Sequence, residues 1–191
     1  MATRAFALLF LLLMSFSAVP AEVAGVKMED RDRVANTELV LNGAGLRKRA
    51  FFQVYAIGLY LPEKRTLAAE AIAATGPKRV AIHMLRDVDA LQFVDALKDG
   101  MKDNLNETEM KGLDPQITQF SALMNQVKLA KKGFQFALDW IPGSGTLLKL
   151  EGNPLGAAIA GEDFYRALLR IWLGDNPVQA DLKKALLGEK Q

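Results

Sequence analysis

Cysteine is absent from the chain, and histidine occurs once, as His83. Without cysteine there is no thiol catalysis, no cysteine-ligated zinc and no disulfide framework, so the fold has to stand on its core alone. A lone histidine cannot build a histidine metal centre. It also leaves a hydroxyl nucleophile with a single candidate base, and no Gly-x-Ser-x-Gly turn is there to present a serine. The acidic pairs Glu29-Asp30, Glu107/Glu109 and Glu162-Asp163 lack a partnering histidine and the spacing of a calcium loop, and read as helix caps and solvated faces. No metal, no cofactor and no catalytic side chain is expected. Charge of one sign is scarce too: 24 Lys and Arg against 22 Asp and Glu leave a formal net charge of +2. The basic residues concentrate only at Arg47-Lys48-Arg49 and Lys131-Lys132, too narrow a stripe for a nucleic-acid surface.

Long apolar runs are missing after the first residues. Arg4, the apolar run 5–16 and the small residues around Val19-Pro20-Ala21 have the layout of a secretory signal peptide cut before Glu22. That run is shorter than the roughly 20 residues a spanning helix needs. The expectation is a signal peptide over residues 1–21 and one domain over 22–191. The mature chain would be periplasmic or secreted, monomeric, and without a stable membrane span after signal cleavage.

What is present is a mixed pattern. Residues 39–42 and 50–61 read as strands, with the glycines and basic residues between them as a hairpin. Residues 66–74 read as a short helix, and 78–85 as a strand whose Val80, Ile82 and Met84 alternate with Arg79 and His83. Asp87 or Asp89 caps a helix with an apolar stripe at Ala90, Val94, Leu97, Met101 and Leu105. Asp114-Pro115 opens another, with Ile117, Phe120, Met124 and Val127 inside. Short strands at 134–140 and 146–151 come next, then a helix over 162–173 and a last one capped by Asn176-Pro177. Strands, helices, strands and helices in that order predict an α+β domain with an antiparallel sheet covered on one side by helices.

The segment Gly-Ala-Gly-Leu-Arg at 43–47 and the run Tyr-Ala-Ile-Gly-Leu-Tyr-Leu at 55–61 resemble two halves of a motif of the chalcone isomerase family. The strand-to-helix stretch 80–101 and the closing helices over 168–187 extend the likeness over nearly all of the mature chain, closest to the exported bacterial branch. The resemblance implies an open-faced β-sandwich, a curved antiparallel sheet covered by a helical layer. It also implies a cleft in which an arginine reads the anionic end of a small amphipathic or fatty-acid-like ligand.

By that likeness Arg47 is the clamp, with Arg49 as the alternative and a plain solvent-exposed arginine as the competing reading. Tyr55 stands where catalytic relatives carry threonine, and fatty-acid-binding relatives pair a tyrosine with their arginine near this point. Ile57, Phe93 and Leu97 would line the apolar wall. On one straight strand Arg47 and Tyr55 would stand roughly 26 Å apart at about 3.3 Å per residue, so sharing a carboxylate requires a hairpin between them. The family's catalytic tyrosine falls at Phe93, and its lysine and asparagine fall near Ala96 and Gly100, leaving Gln92 and Lys98 as the polar neighbours. Phenylalanine donates no hydrogen bond, so the fold does not carry the isomerase activity with it. Three readings therefore stand: a fatty-acid-binding module, an intramolecular lyase acting on a chalcone-like ketone through Arg47 and Tyr55, and an interaction protein whose cleft is filled by its own side chains.

Overall fold

The computed structural model describes residues 21–189; the signal-peptide reading, apart from Ala21, falls outside the described residues. The chain runs β1 (Ala21–Val23), β2 (Val26–Met28), β3 (Arg31–Val34), β4 (Thr37–Arg49), β5 (Phe52–Leu61), α1 (Ala68–Ala73), β6 (Lys78–Met84), β7 (Val88–Asp89) and α2 (Ala90–Lys102). It continues through α3 (Glu107–Gly112), α4 (Asp114–Asn125), β8 (Leu129–Ala130), β9 (Gln135–Ile141), β10 (Gly145–Leu150), β11 (Asn153–Pro154), α5 (Glu162–Leu173) and α6 (Ala180–Leu186).

The main sheet has the order β11-β10-β9-β6-β5-β4-β3, with every neighbouring pair antiparallel. This is the expected α+β arrangement. Period-two alternation gives the sheet two apolar faces. Tyr55, Ile57 and Leu59 of β5, with Val80, Ile82 and Met84 of β6, face the buried stripes of α2, α4 and α5. Ala56 and Tyr60 face the other way, with Met28, Val34, Leu39 and Leu41.

The described structure departs from the sequence expectation at several places, the short strands β7, β8 and β11 among them. Residues 43–49 are not a connection: β4 is continuous, and the turn is the pair Ala50-Phe51, with Arg49 opposite Phe52 and Ala50 at φ 51°. Three short strands, β1 to β3, precede it. Helix α3 is additional to the expected helices, although Asn106 and Glu109 cap it reciprocally through side chain and backbone. Helix α6 starts at Ala180, because Asn176 is held elsewhere: its backbone N–H donates to Asn104 Oδ1 at 2.9 Å and its amide to Asp103 O at 2.9 Å.

A bulge between Leu41 and Gly43 shifts the register of β4 against β5 and turns both Asn42 and Gly43 toward α6. Asn42 is buried. Its amide donates to Leu186 O at 2.7 Å and to Arg65 O at 2.9 Å, and its Oδ1 accepts from Arg65 N at 2.6 Å. One side chain thus holds the end of α6, the sheet and the segment after β5. Asn42→Ala would orphan these backbone groups and should cost about 2 kcal/mol of unfolding free energy in urea, at an unchanged denaturant slope.

Candidate functional site

Beyond the bulge, the side chains of β4 alternate in a new phase. Gly43, Gly45 and Arg47 share the helix-side face of β4, and α6 runs back along it, with Ala185 and Leu186 over Gly43, Leu182 and Ala185 over Gly45, and Gln179 beside Arg47. A Cβ on Gly43 would overlap Ala185 O and lie 2.7 Å from Leu186 O; one on Gly45 would lie 2.6 Å from Leu182 Cδ1. The two glycines therefore seat the helix by backbone contact. Arg47 is the next side chain on that face, emerging where α6 begins.

Arg47 pairs directly with Tyr55 across the β4–β5 hairpin, so the distance that a straight strand would impose is removed. The half-buried guanidinium meets oxygens that are not carboxylates: Nη1 donates to Lys48 O and lies 3.5 Å from Gln179 Oε1. Gln179 itself is fixed, its Oε1 accepting from Lys48 N at 2.9 Å and its Nε2 donating to Leu46 O at 3.0 Å. Tyr55 is 6% exposed, and its hydroxyl oxygen accepts a 3.0 Å bond from Trp172 Nε1. Burial pushes the Tyr55 pKa up, against the lowering effects of the Trp172 bond and the Arg47 charge. At neutral pH the group is a phenol whose own proton remains available to an acceptor.

These residues open into a cleft of about 860 Å³ between the hairpin, α2 and α5. That size falls in the range of roughly 300–1,000 Å³ usual for ligand pockets. Tyr55, Phe93, Leu97, Gly100, Ile171 and Val178 line its apolar part. The Phe93 ring stands edge-on to Tyr55 and stacks with Phe136, both at 6.2 Å between centroids. Asp89 fixes the start of α2 by accepting from Leu91 N at 2.9 Å and Gln92 N at 3.1 Å. The far end of α2 is tied to the α5–α6 connection through Asn104, whose amide donates to Gly100 O and Asn176 O.

The walls differ in charge. Arg47 and Arg49 line the hairpin side, Arg86 stands with Asp87 and Asp89 before α2, and Asp95, Asp99 and the C-cap Asp103 succeed one another at four-residue spacing along α2 and its end. An anion is repelled from the α2 wall and attracted to the hairpin side.

Four of the five residues expected to bind ligand, Arg47, Tyr55, Phe93 and Leu97, meet in this cleft, as does the alternative clamp Arg49. Ile57 does not. It is fully buried in the core two residues beyond Tyr55, where the helical layer has closed over the sheet. Gln92 lines the cleft, whereas Lys98 is not among its lining residues. Sequence reasoning misses Trp172, for in the sequence it is one more apolar position of α5; its indole N–H, which seeks a partner when buried, is the available signal. His83 lies opposite Ala56 on the other face of the sheet, away from the cleft, with burial holding its pKa below the usual value against the pull of Glu151. Among the described residues no cluster of acidic and histidine side chains suits a metal ion, and no helix is long and apolar enough to cross a membrane.

A search of curated proteins finds no match. Among solved structures, a fatty-acid binding protein of Arabidopsis thaliana superposes with a TM-score of 0.69 at 16% identity, over 85% of this chain and 92% of that one. The chalcone isomerase-like family profile matches residues 20–188. The glycine-seated closing helix, the arginine emerging beside it and this match over nearly the whole length agree: the chain belongs to the chalcone isomerase-like family.

Proposed function

We propose that this is an exported, non-catalytic binding protein that holds a fatty acid or a similar amphipathic anion. The carboxylate head sits on Arg47 and Tyr55, and the tail lies along Phe93, Leu97, Ile171 and Val178. The observation that carries the reading is the direct pairing of Arg47 with Tyr55 at the edge of an apolar cleft. A guanidinium offers a fork of donors to two oxygens, and the phenol adds a third donor from the opposite strand. The acidic wall along α2 favours one orientation of the ligand. The Arabidopsis neighbour, itself a fatty-acid binding protein, supports the ligand class.

The intramolecular lyase reading draws on the same two groups, because a charged Arg47 beside a phenolic O–H can polarise a ketone and hold a developing oxyanion. Two positions weigh against it. Phe93 has no proton to give, and a Cβ at Gly100 would lie 2.8 Å from Ile171 Cγ2, so the place where the family's asparagine falls is already filled by packing.

Native mass spectrometry of the protein purified from cells should show an acyl-chain adduct that gentle extraction releases, and added fatty acid should raise the thermal midpoint. Failure of both sinks the binding reading. Loss of chalcone absorbance no faster than in buffer is expected, and a rate well above buffer would move the assignment to the lyase.

A further inference from the structure

Among the described residues five large apolar side chains are exposed, and four of them, Phe51, Phe52, Leu91 and Leu129, gather at one end of the sheet; Leu67 lies by α1, at the opposite end of β5. Local structure joins the four. Phe51 and Phe52 form the tip of the β4–β5 hairpin, where Phe51 is 100% exposed and the Arg86 guanidinium covers Phe52 at 4.4 Å from the ring centre. Leu91 opens α2, and Leu129 in β8 pairs with Asp89 of β7.

Basic side chains surround this apolar tip. Lys48 and Arg49 flank the hairpin turn, Arg86 lies just past β6, and Lys128, Lys131 and Lys132 flank β8, all of them at least partly exposed. Three acids at this end accept from backbone amides and keep their charge: Asp87 accepts from Lys132 N, Asp89 from Leu91 N and Gln92 N, and Glu151 from Gln135 N, so the six cations named outnumber these three anions. The formal net charge of the whole chain is only +2, so the positive field here comes from clustering.

We propose that this end docks on an anionic lipid surface, with Phe51 and its apolar neighbours entering the interface and the lysines and arginines meeting the headgroups. Protruding aromatics ringed by cations match an interface that is apolar within and negatively charged at its rim. Phe51 projects fully into solvent, as a side chain entering a lipid interface must. Arg49, Ala50 and Phe52 also line the cleft, so docking here would bring its mouth to the bilayer. The proposal takes its purpose from the lipid-binding reading, but its test reads the outer surface and not the cleft.

Co-sedimentation with vesicles of phosphatidylglycerol and phosphatidylcholine in equal parts should bring the protein down, and vesicles of phosphatidylcholine alone should not. Neutralising Lys131 and Lys132 together to Gln should weaken partitioning by roughly 25-fold, about fivefold for each lysine. Phe51→Ser should also weaken it, and Leu67→Ser should leave it unchanged. All arms carry the same N-terminal residues, so differences between them report the patch. Salt should release the unmodified protein, which supplies a readout should a variant fold poorly. Equal binding to both vesicle types, or variants that bind like the parent, overturns the proposal. So does concentration-dependent self-association that Phe51→Ser abolishes, since a second copy would then be what covers this end.

Discussion

Arg47→Ala should empty the cleft of its acyl ligand, while Lys48→Ala keeps it. The two residues are neighbours of equal formal charge, but they project to opposite sides of β4. Lys48 is more exposed, whereas the half-buried Arg47 shares the face of Tyr55 and lines the cleft. Truncation would remove charge-assisted bonds worth about 2–3 kcal/mol, a loss of roughly 30- to 150-fold in affinity. Arg47→Lys should fall between, because an ammonium keeps the charge and loses the fork. Titration with a fluorescent fatty acid checks all three. Equal loss in the Lys48 variant would mean that general positive charge at the hairpin holds the ligand, and an unchanged Arg47→Ala would place the head elsewhere.

Gly43→Ala should destabilise the fold by about 3 kcal/mol or more, the upper end of the cost of overpacking. The added carbon meets backbone oxygens of Ala185 and Leu186, and backbone cannot swing aside as a side chain can. Relief requires moving α6 off β4, which would also strain the Asn42 bonds to Leu186 and Arg65. Gly45→Ala should cost less, since its nearest obstacle is the Leu182 methyl. Gly112→Ala is the control. Nothing lies within 4 Å of a Cβ at this α3 position, so alanine's helix preference should leave stability unchanged or raised by up to about 1 kcal/mol. Urea denaturation of the three variants checks the order, and a Gly43→Ala as stable as the parent would mean that α6 is not seated as described.

These glycines also show where sequence reading stops. Gly43, Gly45 and the basic cluster after them look like a connection, because glycine most often marks a turn and like charges avoid a sheet. Their ladder partner is β5, just across the turn; what calls for glycine inside that strand is α6, roughly 130–140 residues away, which no local pattern announces. The same limit hides the role of Trp172. The long amphipathic helices and the alternation in β6 are legible, since burial of one face writes itself into sequence at a fixed period. Ile57 marks the boundary: the period places it correctly on the inner face, but where along that face a cleft gives way to core depends on how far α2 and α5 reach. The capping box at Asn106 and Glu109 is legible too, a local signal for α3 that needs no distant partner.

Gln179 carries a last consequence. Beyond Val40, no strand among the described residues hydrogen-bonds to the outer side of β4, yet its Leu46 carbonyl and Lys48 amide are taken by one glutamine side chain. That amide imitates a single residue of a neighbouring strand, and with α6 behind it the row of open donors and acceptors is interrupted where another chain would otherwise add itself. Unseating α6 would therefore do more than loosen a helix. It would bare a template for edge-to-edge growth, and soluble aggregates would be expected before the sheet itself unfolds.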